Sequence, residues 1–431
     1  MSNLKVLVCG ASIAGPATAY WLSRAGAQVT VIERFPRLRS SGHNVDIRNL
    51  GVSVMRKMEG MEEAVLKKKL DLRGISIVNP RGGNYGVLGS AEKRESEQNT
   101  QSLLSDYEIY RGDLSQILVD LSLARQNVNY VFGEEVSSIV SRPGDGQLTV
   151  GFKNGRLPQA EYDLVVDCGG ATSRTRAIGL GLNGEKNREY VHLVHSWTAN
   201  FSIPKGPEDN GNIALAHGAP GGRVIFLDTT QPDSTKVVLS RWASSEADSD
   251  NEAFRQALEA GETRLKTFVS EVFRGSGWRE EEILKGMMDS RDFYAGEWVQ
   301  VKLPRLYSDK VNFALVGDAG YGPGPTGGGT SLALTGAYIL AGELLSHEKE
   351  WIQAGLKAYN DRMRPIIDDL QKTPPFVRTA MAPQTSSGIW LRNRIFSFLT
   401  WSKLLEVMGK YVAPAFQSGE RYKLPEYTWR D

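Results

Sequence analysis

The first thirty residues switch between two hydrophobic periods. Leu4 to Cys9 is an apolar run of strand length, Ile13 to Ala25 repeats its apolar residues at helical spacing, and Gln28 to Glu33 returns to a short apolar run. Strand, helix and strand in that order predict a βαβ unit. Two later runs of the same kind, Asp163 to Cys168 and Val311 to Val316, read as further buried strands, so this layer is assembled from pieces far apart in the chain. Between Val191 and Arg241 the pattern changes to short alternating strands rich in Val, Phe, Thr and Trp. Gly and Pro punctuate them, as in Gly218-Ala219-Pro220-Gly221-Gly222, which predicts an antiparallel sheet. An acidic stretch, Ser244 to Glu252, leads into a helix predicted over Ala253 to Phe273. Thr330 to Leu345 predicts an apolar helix, Ile389 to Val412 an aromatic-rich helical segment, and Tyr422 to Tyr427 an extended tail.

A chain of 431 residues has room for two or three domains at roughly 100 to 200 residues each. Its 41% hydrophobic and 23% charged residues exclude a disordered or fibrous chain. A formal net charge of +1 argues against a general nucleic-acid or membrane-surface binder, which leaves small-molecule chemistry as the default. The two cysteines, Cys9 and Cys168, end apolar strands, and no disulfide framework is expected. Met1 to Lys5 passes straight into the first strand without the layout of a secretory signal, and Thr330 to Leu345 is interrupted by Gly336, Gly342 and Glu343 and too short for a span. A cytoplasmic location is expected.

The turn between the first strand and first helix reads Gly10-Ala11-Ser12-Ile13-Ala14-Gly15, with Glu33 about twenty residues on. This is the dinucleotide fingerprint with Ser12 at its middle glycine. Gly10 permits the tight turn, Gly15 lets helix and strand approach, and the helix amino terminus offers N–H groups to a pyrophosphate. Glu33 can accept the ribose hydroxyls of an adenosine, and Arg34 follows it. The fingerprint alone leaves NAD and FAD open. A second constellation favours FAD: Phe313-Ala314-Leu315-Val316-Gly317-Asp318-Ala319, then Pro323, Pro325 and Gly327-Gly328-Gly329 before the helix that opens with Thr330 and Ser331. There Asp318 can hold a ribityl chain, while the N–H groups of the helix start stabilise the negative charge of a reduced flavin.

With these residues the chain resembles the FAD-dependent aromatic monooxygenases of the para-hydroxybenzoate hydroxylase type, over most of residues 1 to 372. Arg111 in Tyr110-Arg111-Gly112-Asp113-Leu114 looks like the family arginine that opens a helix and contacts FAD. Asp163-Leu164-Val165-Val166, leading to Gly170, Ser173 and Arg176, resembles the mid-chain motif. Gly42-His43-Asn44-Val45-Asp46-Ile47-Arg48 is similar to the segment beside the isoalloxazine, which makes Asp46 and Arg48 candidates for contact with flavin or substrate. Two positions depart from the family: Gly169-Gly170 stands where it usually has Asp-Gly, and Ala319-Gly320-Tyr321 where it often has Ala-Ala-His.

The resemblance implies an α/β fold: a doubly wound FAD-binding domain of the glutathione reductase-like Rossmann kind, an inserted antiparallel substrate sheet and a helical carboxy-terminal segment. The expected FAD-binding pieces are 1–72, 101–178 and 290–372, the substrate pieces 73–100 and 179–289, and the final segment 373–431. It also implies that NADPH or NADH, visiting without a second fingerprint, reduces FAD, and that O2 then gives a flavin hydroperoxide that hydroxylates an aromatic or phenolic substrate, for example a polyketide-like secondary metabolite. A monomer or homodimer is expected. Among five histidines, His195 is the favoured acid/base candidate; His192 lies on the same strand and His43 on the flavin-edge segment. Part of the set Trp197, Phe201, Phe226 and Trp242 is expected to face a pocket over the flavin. Trp390, Phe396, Phe398, Trp401 and Leu404 suggest a helix covering the domain interface, or a membrane-touching face. Baeyer-Villiger or epoxidising chemistry, and a flavin-binding protein without turnover, remain the alternatives. A halogenase is disfavoured because both tryptophans of that family's Trp-x-Trp-x-Ile-Pro stretch are missing from Ala199 to Pro204.

Overall fold

The computed structural model describes residues 4–39, 42, 44–89, 107–142, 146–207, 209, 211–243, 249–347, 352–372, 379–402 and 422–430. A five-stranded sheet carries the strands Phe313–Leu315, Leu164–Asp167, Lys5–Cys9, Gln28–Glu33 and Val128–Phe132 in that spatial order, every pair parallel. The first strand in sequence is central, and the order reverses between Lys5–Cys9 and Leu164–Asp167. Such a switch point opens a crevice beyond the carboxyl ends of the strands.

Both faces of this sheet are buried, which explains its unbroken apolar runs. Val6 and Val8 join a core with the helices Ala14–Arg24, Gly329–Ser346 and Ile352–Leu370, while Leu7 and Cys9 join another under the three-stranded antiparallel sheet Ala160–Tyr162, Leu148–Phe152, Val136–Ser141. Both cysteines are free and buried. The Gly329–Ser346 helix is buried along nearly its whole length, partly because the extended tail lies on it. Tyr427 donates to Glu343 at 2.6 Å, Tyr338 donates to the Pro425 carbonyl at 2.7 Å, and the Trp429 ring lies 4.6 Å from that of Trp21.

A seven-stranded sheet follows the order Tyr294–Val301, Val191–Pro204, Ser234–Trp242, Arg223–Asp228, Ile213–Ala219, Gly74–Val78, Asn84–Gly89. It is antiparallel except for Ile213–Ala219 against Gly74–Val78. Tyr294–Val301 belongs to this sheet, so the boundary expected at 290 moves beyond Val301. The helix expected over Ala253 to Phe273 is two helices, Ser249–Glu259 and Glu262–Phe273. They break at Gly261, whose φ of 101° no ordinary helical residue adopts. The aromatic carboxy-terminal run forms the Ser386–Trp401 helix, packed on the edge strands Asn84–Gly89 and Ile213–Ala219; its continuation to Val412 lies outside the described residues. No helix among the described residues is long and apolar enough to cross a membrane.

Candidate functional site

The crevice collects the expected cofactor residues. Gly10, with φ 110°, turns the chain out of the first strand, and a Cβ on Gly15 would lie 1.7 Å from the Gly10 carbonyl oxygen, so both glycines are needed where the helix starts. Glu33 ends the second strand, and its carboxylate accepts the N–H groups of Ala11 at 2.9 Å and Phe35 at 3.1 Å, tying the strand end to the turn. Arg34 is exposed, its guanidinium 4.9 Å from the Phe35 ring. Arg111 opens the helix Arg111–Leu123 and donates to the Ser12 hydroxyl at 3.2 Å, so the serine at the fingerprint's middle position holds the arginine in place.

Across the crevice, Gly317 has φ 69° and packs so closely that a Cβ there would lie 2.8 Å from that of Ala14. Asp318 follows it. This carboxylate sits deep among protein atoms, and burial raises its pKa against the pull of Arg111, yet its side chain opens onto the groove. One oxygen lies 3.7 Å from where a Cβ on Gly329 would stand, at the start of the long helix formed by Gly328, Gly329, Thr330 and Ser331. Ser331 is buried and accepts the backbone N–H of Arg48 at 2.9 Å, and the Arg48 guanidinium pairs with Asp46 at 2.7 Å. The structure thus joins the fingerprint, Arg111, Asp318, the helix start and the Asp46 to Arg48 segment around one groove.

Several groups near it were not anticipated. Asn44–Asp46 and Glu108–Tyr110 form a two-stranded sheet in which Asp46 and Glu108 are direct partners. Glu108 is 8% exposed; burial, then the neighbouring Asp46 charge, push its carboxyl up to about 7, although Asn44 donates a hydrogen bond to it. The Tyr110 hydroxyl donates to Asp228 at 2.8 Å, and burial followed by that carboxylate raises its pKa. Asn44, Tyr110, Asn200, Phe226, Lys236 and Tyr294 line a recess between the two sheets. In the mid-chain motif Asp167 is fully buried and pushed up to about 6 by burial, while bonds from Ser173 and Gly169 oppose the shift. Buried Arg176 bonds the Ala319 carbonyl at 2.9 Å and Asn187 at 2.7 Å, linking that motif to the residue after Asp318.

The histidines are dispersed. His195 lies on Val191–Pro204 at a bulge, with φ 54°. Five residues of strand, about 16 Å, separate it from Asn200, so the strand does not bring it to the recess. His192 is exposed. His217 is buried between the carbonyls of Val78 at 3.0 Å and Ser276 at 3.3 Å, and burial lowers its pKa. His347 lies beside the Glu343 carbonyl at 2.9 Å, and His43 lies outside the described residues. The aromatic set divides by strand parity. Trp197 and Phe201 belong to the core under the helices, with Trp197 stacked 4.9 Å from Phe254, whereas Phe226 lines the recess and Trp242 meets Trp298 edge-on at 5.0 Å.

Comparison with known proteins places this geometry. The FAD binding domain family matches residues 3–373. The flavin-dependent monooxygenase eupH of a Phoma species is 31% identical, over 99% of this chain and 98% of its own. The crystal structure of the tetracycline destructase Tet(51) superposes with a TM-score of 0.75 at 27% identity, over 99% of this chain and all of that one. Klebsiella pneumoniae HpxO, solved with FAD and uric acid, superposes with a TM-score of 0.68 at 18% identity over 97% of this chain and 98% of its own, a likeness of fold.

Proposed function

The chain belongs to the FAD binding domain family of flavin-dependent monooxygenases, and on that premise we propose that it takes electrons from NADPH or NADH and transfers one atom of O2 to an aromatic or phenolic small molecule. The observation that carries the cofactor assignment is Asp318, a carboxylate held deep in the protein yet open to the groove, opposite Arg111 and beside the start of a buried helix. Bound FAD would supply the electron transfer and oxygen activation.

The residues divide that work. The helix start after Gly10, Ser12 and Gly15 would hold the pyrophosphate, with Arg111 reinforcing it, and Glu33 would take the ribose hydroxyls, with Arg34 beside it. Asp318 would hold the ribityl chain, and the N–H groups of Gly328 to Ser331 would steady negative charge on the reduced ring. The bond from Arg48 to Ser331 fixes the Asp46 to Arg48 segment against that helix, on the side where the recess opens. Glu108, bonded by Asn44 of the recess and raised toward neutrality by burial, would exchange a proton with a phenolic substrate through that contact.

The reading of a flavin-binding protein without turnover rests on the missing acid at position 169; the likeness to a flavin-dependent monooxygenase over 99% of the chain argues against it. Asp318→Ala tests the cofactor assignment: FAD affinity of the apoprotein, followed by flavin fluorescence quenching, should fall by about tenfold or more, the equivalent of one charge-assisted hydrogen bond. Unchanged affinity would remove Asp318 from the site.

A further inference from the structure

The face of the seven-stranded sheet turned away from its helices carries a row set by strand register. Gly296, Thr198, Ser240, Val224 and Gly218 lie side by side across five strands, and Asn200 is one step from Thr198 on the same face. Thr198, Asn200 and Ser240 are 6%, 7% and 5% exposed. Neither hydroxyl, and neither end of the Asn200 carboxamide, has a hydrogen-bond partner among the described residues. Buried polar groups left in that state give up their hydration for nothing, and a sheet that served only packing would carry apolar residues there. The opposite face does so, with Trp197, Ala199, Phe201 and Leu239 packed beneath the helices.

The Ser386–Trp401 helix crosses the far end of the row. There an Nη of Arg392 comes within 2.9 Å of where a Cβ on Gly218 would stand, and that nitrogen is buried without a partner among the described residues. The other guanidinium nitrogens bond the Asn393 side chain and the Met381 carbonyl, neither of them an anion. Three strand spacings, about 14 Å, separate Thr198 from Gly218. Asn200 lines the recess shared with Asn44 and Tyr110, so the row faces the cofactor part of the molecule.

We propose that the unpaired polar groups of this row, with Arg392 at its far end, select a flat, oxygenated substrate and set its direction. Its hydroxyl or carbonyl groups point toward Thr198, Asn200 and Ser240, and an acidic oxygen, whether carboxylate, phenolate or enolate, points toward Arg392. The proposal rests on the monooxygenase reading and adds the substrate's polarity and direction. A carboxamide donates and accepts at once and a hydroxyl does either, so the near end suits adjacent hydroxyl and carbonyl oxygens. A guanidinium at the far end suits an anion.

The test uses FAD-loaded protein and calorimetric titration with a dihydroxyanthraquinone carboxylic acid, compared with the same dihydroxyanthraquinone lacking its carboxyl group. The acid should bind about tenfold or more tightly, and Arg392→Gln should erase that advantage while leaving the neutral compound unaffected. Asn200→Leu should weaken both compounds about tenfold and leave the Tm unchanged or higher, because it removes an unpaired buried amide. Thr198→Val, nearly the same in shape, serves if Asn200→Leu does not fold. Equal affinity for the two compounds, no binding of the acid, or normal binding by the variants overturns the proposal. Flavin content is read from the visible spectrum of the same samples. Protein that holds no FAD refutes the function, whereas FAD-loaded protein indifferent to the acid refutes only this inference.

Discussion

The Asp167 carboxylate occupies the space that a side chain at Gly169 would need: its Oδ1 accepts the Gly169 N–H at 2.8 Å, and a Cβ on Gly169 would lie 2.9 Å from the same oxygen. The other oxygen accepts the Ser173 hydroxyl at 2.6 Å. Reaching forward from two residues earlier, Asp167 thus fills the volume that a side chain on residue 169 would take. Asp167→Ala would leave Ser173 and the Gly169 N–H unpaired and should cost about 1–3 kcal/mol, read as a lower Tm by calorimetry. Gly169→Asp alone should also destabilise, by crowding two carboxylates, and the double variant Asp167→Gly with Gly169→Asp should recover much of the loss. A double variant no better than Gly169→Asp would show that the two positions are not interchangeable.

Glu108 makes stability depend on pH. Its carboxyl is raised from 4.5 to about 7 in the folded protein, so between those values the folded state holds a proton that the unfolded state releases. Stability from this group is greatest at the acid end and falls as pH rises through that window. Buried Asp167, raised to about 6, adds in the same direction. Melting curves from pH 5 to pH 8 should show the decline, and Glu108→Gln should flatten it in part. A variant with the same slope as the parent would exclude Glu108 as its source.

Tyr321 fills the place where a histidine is frequent in the family. It lies fully buried against the long helix, its hydroxyl 1.8 Å from where a Cβ on Gly336 would stand and 3.4 Å from that of Tyr359. Gly336→Ala should overpack this contact and cost about 1–3 kcal/mol. Adding Tyr321→Phe should relieve most of that cost, as thermal unfolding of the double variant would reveal. Equal stability of Gly336→Ala and the parent would contradict the packing described.

Ser12 is expected to be tolerated for its size and its contact with Arg111. Ser12→Gly should lower FAD affinity only a few-fold, the loss of one hydrogen bond, whereas Ser12→Asp should nearly abolish it by setting a carboxylate against the pyrophosphate. Flavin titration of the two apoproteins distinguishes these outcomes. Comparable affinities would mean that the pyrophosphate lies elsewhere.

Much of the cofactor half was legible in the sequence because its signals are local. The strand runs, the glycine turn, Glu33, Asp318 and the long apolar helix lie within short windows, and the observed helix Gly329–Ser346 differs from the expected span by one residue at each end. The substrate half was less so. Glu108 becomes notable only when Asp46, far back in the chain, pairs with it across two strands, and Asp228 only when Tyr110 reaches it. Alternation implied that only part of the aromatic set faces a pocket, but which part depends on strand register and the packing of distant segments. The split at Gly261 was signalled by the glycine itself, and the placement of Tyr294–Val301 depends on long-range strand pairing.

The most direct test of the central claim is anaerobic addition of NADPH, and separately NADH, to the purified protein while its visible spectrum is followed. The account predicts a bound chromophore identified as FAD, bleached by at least one of the two nicotinamide cofactors and restored by O2. Protein that binds no flavin when FAD is supplied, or whose bound flavin neither cofactor bleaches, would contradict it.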